Sequence, residues 1–174
     1  MGAGRGSRSK TQIRALLKQK RGILLDVSLG GTPQAGSVTM QELKHDPRVL
    51  PYPLPTGCVH TAVITHVLEY LEPDQFFPFW DEIHRILRPM GLVYVSGPHG
   101  GDDSMGWISD PQHRTRVVEQ SFQWLDPRMP LYVLHSQVGR SQPRPWHPIS
   151  LVRAPGLYGT ISYNVMMQSQ PRTS

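Results

Sequence analysis

Residues 57–98 read GCVHTAVITHVLEYLEPDQFFPFWDEIHRILRPMGLVYVSGP, and this stretch alone carries a strand, a helix and a second strand in unbroken order. Residues 59–65 (VHTAVIT) read as a buried strand and residues 92–96 (LVYVS) as another. Between them Phe76, Phe79, Trp80, Ile83, Ile86 and Leu87 recur at helical spacing, while Asp81, Glu82, Arg85 and Arg88 fall largely on the other side. Such a helix covers a sheet with its apolar face. Two short apolar strands joined through it make a right-handed crossover and a parallel pair, whose ligand site is expected beyond the strands' carboxyl ends. Those ends are Thr65–His66 and Pro98–His99.

Length and composition bound the rest. A chain of 174 residues suffices for one α/β domain with a single core. Its single cysteine, Cys58, excludes an internal disulfide and a paired-cysteine metal site, so a reducing cytoplasm is the expected setting. No apolar run approaches the roughly 20 residues that span a bilayer, and the basic start lacks the apolar stretch of a signal peptide. A soluble protein with no membrane partner is expected.

The net charge of +5 is uneven. Residues 1–21 hold Arg5, Arg8, Lys10, Arg14, Lys18, Lys20 and Arg21 with no acid, leaving 11 basic against 13 acidic residues elsewhere. Such an arm suits nucleic acid or an acidic partner through sequence-independent attraction. It equally suits a solvated helix over residues 10–21, with Ile13, Leu16 and Leu17 inward and Gly22 as its C-cap; the latter reading is preferred.

A further strand follows at residues 23–28, where Ile23, Leu24, Leu25 and Val27 surround Asp26. It empties into the loop SLGGTPQAG, residues 28–36. Glycines there let backbone approach a ligand, and the acid at the strand end accepts hydrogen bonds from polar groups.

In combination these segments resemble a known family. LLDVSLGG resembles the first motif of class I S-adenosylmethionine-dependent methyltransferases, an acidic residue followed by spaced glycines. HDPRVLPYPLPTGCVHTAVITHVLEYL, residues 45–71, resembles that family's adenine-side Asp, Leu-Pro-aromatic turn and fourth strand. EIHRILRPMGLVYVSGP, residues 82–98, is similar to its helix and fifth strand, with the Arg-Pro-Gly-Gly type turn written Arg88-Pro-Met-Gly91. DPQHRTRVVEQSFQWL, residues 110–125, resembles the helix that follows. The likeness spans residues 22–125 and lies in the ordered set of motifs.

The departures are as informative. Of the three spaced glycines in the first motif only the middle one remains, at Gly30, since the flanking positions read Ser28 and Thr32. The family places a helix, a strand with a ribose-binding acid, another helix and a third strand before the position of Asp46. Here about 15 residues occupy that interval, too few for whole crossovers of 10 to 12 residues plus two strands. The interval holds either a capping box, Thr39-Met-Gln-Glu42, opening a short helix, or an edge strand over residues 38–43. With strand two missing, the edge of strand one would lie open to a second copy, giving a homodimer.

The resemblance implies S-adenosylmethionine as cofactor, held by Asp26, Gly30, Gly31, Asp46, Thr65 and His66, with methyl transfer to an unidentified acceptor. Asp26 as a helix cap and Asp46-Pro47 as a turn are the structural alternatives. His60 stands within a strand where the family has Asp and reads as structural, while Glu42 stands in for the ribose acid only by its order along the chain.

The loop GPHGGDDSMGWISDPQH, residues 97–113, gathers His99, Asp102, Asp103, Trp107, Asp110 and His113 at the expected mouth. His99 is the first choice for a catalytic base. A divalent metal on His99, Asp102 or Asp103 and His113 is the rival reading, without a diagnostic spacing. The structural alternative makes Asp110 an N-cap and Pro111 the first residue of a helix over residues 111–125. That helix turns Val117, Val118, Phe122 and Leu125 to the core.

Residues 131–136 (LYVLHS) and 159–167 (GTISYNVMM) read as the last two strands, which the resemblance implies pair antiparallel at one edge of the sheet. The connection between them is rich in proline and arginine; residues 143–148 suit a polyproline segment or a stiff link, and Trp146 and His147 a lid. The sequence therefore predicts an α/β, Rossmann-like open sheet, mostly parallel with an antiparallel C-terminal edge, lacking part of the family's N-terminal half. Its expected parts are a basic arm over residues 1–21, the domain over 22–167 and a disordered tail over 168–174. A non-catalytic remnant of the same fold, acting as a binding or assembly subunit, is the alternative function.

Overall fold

The computed structural model describes residues 9–17, 22–29, 32–101, 105–137, 143–155 and 161–170. Six strands form one sheet: β1 (Ile23–Asp26), β2 (Val38–Thr39), β3 (Val59–Thr65), β4 (Leu87–Pro98), β5 (Trp146–Pro155) and β6 (Ile161–Ser169). Their spatial order is β2-β1-β3-β4-β6-β5. β1 to β4 are parallel, and β6 runs antiparallel between β4 and β5. The helices are α1 (Lys10–Leu17), α2 (Phe76–Ile86), α3 (Met105–Ile108) and α4 (Pro130–Gln137).

The strand, helix, strand reading of residues 57–98 describes the centre of this sheet. Successive side chains of a strand point to opposite faces, so Ala62 and Ile64 share one face with Val93 and Val95 of β4 and with Val165 and Met167 of β6, all buried. They join Phe79, Trp80, Ile83 and Ile86 of α2 in one core, each fully buried. Burial of each such side chain stabilises the fold by about 1.5–3 kcal/mol. Trp80 anchors an aromatic cluster, with Phe76, Phe79, Phe122 and Trp146 packed edge-on around it. The opposite face, with Val63, Thr65, Tyr94 and Met166, stays part-exposed.

Both readings of the interval before Asp46 describe part of it. Val38–Thr39 pairs with β1 as a two-residue edge strand. Thr39 Oγ1 then accepts the Glu42 N–H at 3.0 Å while Glu42 Oε2 accepts the Thr39 N–H at 3.1 Å, a reciprocal capping box over a single turn. The edge of β1 is therefore paired by β2 rather than open, which removes the argument for a dimer through it.

Several expectations are corrected. Residues 131–136 are helical, within α4, and the penultimate strand is β5, in the stretch taken for a proline-rich connection. Trp146 is accordingly a core residue, not a lid. Residues 111–125 do not form one helix: a 3-10 segment, Glu119–Leu125, ends it, and the backbone before that bonds elsewhere. The Arg114 and Thr115 N–H groups donate to the Glu69 carbonyl, and Gly100 N–H to the Val117 carbonyl. β1 stops at Asp26, and β6 continues through Ser169, past the expected start of the tail.

Candidate functional site

The carboxyl ends of β1, β3 and β4 lie side by side, because Asp26 pairs with Val63 and Thr65 with Ser96 in register. Asp26, the last residue of β1, is buried, and its two carboxylate oxygens accept the backbone N–H groups of Ser28 (3.0 Å) and Gln34 (3.1 Å). One side chain thereby gathers both ends of the turn that follows β1. The Leu29 N–H reaches the Thr65 carbonyl at 3.2 Å and hangs this turn on the end of β3. Gly30 and Gly31 lie outside the described residues, as do Asp102 and Asp103 and most of the basic arm.

Ser96 Oγ donates to Thr65 Oγ1 across a long 3.4 Å. Both residues line a cleft of about 320 Å³ on the open sheet face, walled by Val63, Tyr94, Met166 and Val152. The next residue, His66, is exposed and adopts φ 54°, the left-handed region that side chains other than glycine rarely occupy. A 3-10 turn, Leu68–Tyr70, then brings Glu69 back under it, and His66 Nδ1 lies 2.8 Å from Glu69 Oε1. Glu69 is fully buried. Its hydrogen bond to His66 raises the imidazole above its ordinary range; burial opposes this less strongly, and the carboxylate charge adds a lesser lift.

Asp46 sits apart from this cluster in its own turn. Its carboxylate is held by the Arg48 guanidinium at 3.1 and 2.8 Å and by the Arg48 N–H at 2.8 Å. These bonds, led by the Arg48 side chain, hold the carboxyl below its usual range. His99 is buried, accepts the Gly101 N–H on Nδ1 at 3.0 Å and faces Glu119 Oε2 through Nε2 at 2.9 Å. Since Nδ1 accepts, the proton resides on Nε2 and is donated to Glu119. Both ring nitrogens of His99 are thus engaged within the protein.

The loop after β4 is tied down over residues 69–72. Tyr70 Oη donates to Asp110 Oδ2 at 2.8 Å, and burial together with that carboxylate pushes the phenol up to about 12. Asp110 also accepts the Gln112 N–H at 2.8 Å, as an N-cap would, although only a turn follows. His113 is held by the Trp107 carbonyl at 2.8 Å and packs edge-on to Tyr70. No three His, Cys, Asp or Glu side chains converge as metal ligands among the described residues. Beyond Thr115 opens a second cleft of about 350 Å³, with Phe76, Phe77 and Trp124 as its aromatic walls.

Sequence reading missed Glu69 and Ser96. Glu69 is legible only as a lone acid inside the apolar run VLEYL, a position that demands a partner once buried.

No protein-family model and no curated protein sequence matches the chain. Solved structures do. A 1,6-didemethyltoxoflavin-N1-methyltransferase from Burkholderia thailandensis, with bound 1,6-didemethyltoxoflavin and S-adenosylhomocysteine, is 14% identical over 87% of this chain and 72% of its own, with a TM-score of 0.51. A SAM-dependent methyltransferase from Methanosarcina mazei is 10% identical over 92% and 98%, with a TM-score of 0.52. The [4+2]-cyclase SpnF is 13% identical over 98% and 85%, with a TM-score of 0.50. The chain has the Rossmann-like fold of the class I S-adenosylmethionine-dependent methyltransferases.

Proposed function

We propose that this chain is an S-adenosylmethionine-dependent methyltransferase acting on an acceptor not yet identified. The observation that carries the reading is the convergence of Asp26, Thr65 and Ser96 at adjoining strand ends, with the Ser28 and Gln34 N–H groups bonded to Asp26 and the Leu29 N–H to the end of β3. In an open α/β sheet that is where a ligand is held.

The donor set at this mouth fits the cofactor in its chemistry. Thr65 and Ser96 offer hydroxyls toward an amino-acid moiety, whereas the Asp46 carboxylate, which the resemblance assigns to the adenine side, lies in a separate turn and is already bonded to Arg48. At the end of β2, the Thr39 hydroxyl accepts the Glu42 N–H and Glu42 Oε2 accepts the Thr39 N–H, so the acid nearest the end of β2 is already engaged in its own turn. When bound, the cofactor supplies an electrophilic methyl group. The chain's own part is to orient the acceptor and shield it from water, work that the loop pinned by Tyr70 and Asp110 is placed to do.

A second reading is a methyltransferase-fold subunit without catalysis. It is favoured by the internal commitments of Asp26 to its own turn and of Asp46 to Arg48. A [4+2]-cyclase on the same fold illustrates that the scaffold alone does not dictate methyl transfer. Calorimetric titration with S-adenosylmethionine and S-adenosylhomocysteine separates the two: saturable heat supports the first reading, and a flat response to millimolar ligand supports the second.

A further inference from the structure

One face of the sheet is covered and the other is not. A right-handed crossover assigns α2, which joins β3 to β4, to the face that holds the aromatic cluster. The step from β1 to β2 runs the other way across the sheet, so its connection belongs to the opposite face. That connection, residues 27–37, holds no helix among its described residues. Val63, Tyr94, Met166 and Ser150 therefore stand part-exposed in one row across β3, β4, β6 and β5. Tyr94 is 43% exposed, and Val152, beyond Ser150 on the same face of β5, is 49% exposed. Parallel strands at the centre of a sheet are ordinarily covered on both faces.

We infer that a second copy of this chain covers the open face, giving a two-fold dimer whose sheets lie face to face; the inference does not depend on the methyl-transfer reading. The chain's own remainder does not supply the cover. α1, eight residues long, leaves the row exposed, and residues 1–8, the longest stretch outside the described residues, carry only Met1 and Ala3 as apolar side chains. The exposed row and the neighbouring row of Thr61, Leu92 and Gln168 hold no charge. Asp26, in register with Val63, is buried and bonded to its own turn. An identical face meets such a surface without stranding a charge, as the centre of an interface requires. Outside residues 1–21 the chain holds 11 basic and 13 acidic residues, so two bodies approach with little net repulsion. The open face spans four strands of seven to twelve residues. At about 4.8 Å between strands and about 3.3 Å per residue it presents about 600 Å² in plan, so two copies reach the roughly 1,200 Å² at which specific interfaces begin. A two-fold axis at the Tyr94–Met166 pair lays the apolar row of each copy on that of the other, with Tyr94 entering the second copy's cleft of about 320 Å³.

Sedimentation equilibrium of the full chain between about 1 and 100 µM tests the dimer, since an interface at the small end of the range binds in that interval. The wild type is expected at twice the chain mass, with folding checked by circular dichroism. Tyr94→Glu should sediment as a folded monomer, its dimer weakened by at least about 100-fold through like charges set against each other. Val152→Glu, on the outermost strand, should do the same and keeps the test decisive if Tyr94→Glu unfolds. An equal mixture of Tyr94→Glu and Tyr94→Lys chains should regain the dimer mass, because the two-fold axis brings the opposite charges together. A wild type that stays monomeric up to about 100 µM, including one that retains a different protein from a lysate, overturns the second copy as occupant. A dimer that persists in both glutamate variants, or a mixture that behaves like either variant alone, overturns this face as the interface.

Discussion

Trp146 of β5 meets Trp80 of α2 edge-on, with ring centroids 5.3 Å apart and planes at 76°. Both are fully buried, so the outermost strand of the sheet is fastened to the helix of the central crossover. Trp146→Ala removes that fastening and leaves a cavity. It is expected to destabilise the protein by about 3–5 kcal/mol, read as a lowered urea midpoint, with faster amide exchange in β5. A loss under 1 kcal/mol would mean that β5 is not anchored there.

That strand also explains where sequence reading stopped. Residues 57–98 were legible because an apolar run, a helical period and a second apolar run each match one element. β5 was not, because Pro148 and Pro155 argue against a strand in the interior of a sheet. As the outermost strand, β5 has one side unpaired, and proline is tolerated there. LYVLHS has the composition of a strand but follows Pro130, which opens α4 as a first helical residue. At the site, Asp26 and Thr65 were legible as strand ends. The pairing of His66 with Glu69 was hidden, since it depends on a 3-10 turn that no local period announces.

Arg85 knits α2 to residues 52–56. It binds Glu82 at 2.6 and 2.7 Å and the carbonyls of Leu54 and Tyr52 at 2.9 and 3.3 Å. Burial alone would raise the Glu82 carboxyl, but Arg85 and the Tyr52 N–H outweigh it and hold the group below its ordinary range. A carboxyl depressed by folding stabilises the protein above its unfolded pKa, and that contribution is lost as pH falls through the folded value. Wild-type stability should therefore decline below about pH 4.3. Arg85→Ala should cost about 2–4 kcal/mol at neutral pH, strand a buried carboxylate and flatten that acid slope in urea titrations.

Met90 occupies the position where the Arg-Pro-Gly-Gly type turn carries glycine, and its φ is 62°. The side chain is half exposed, so little packing is at stake. Left-handed backbone costs a side-chain-bearing residue about 1–2 kcal/mol, partly offset by the greater freedom of glycine in the unfolded chain. Met90→Gly should stabilise the protein by about 0.5–1 kcal/mol in thermal unfolding. A destabilised variant would contradict the assigned geometry.

Asp26→Asn keeps one accepting oxygen and replaces the other with a donor, facing a backbone N–H. The expected cost is about 1.5–3 kcal/mol, with selective loss of amide-exchange protection at Ser28 or Gln34. If the turn after β1 contributes to the ligand site, cofactor affinity falls in parallel. Unchanged exchange at both amides would show that the carboxylate does not gather the turn.

The central claim is that the ends of β1, β3 and β4 still form a cofactor site despite the shortened interval before Asp46. Isothermal titration of the wild-type chain with S-adenosylhomocysteine tests it most directly. The account predicts one saturable site per chain, weakened by Asp26→Asn and unchanged by Met90→Gly. No heat up to millimolar ligand, or binding indifferent to Asp26→Asn, would contradict it.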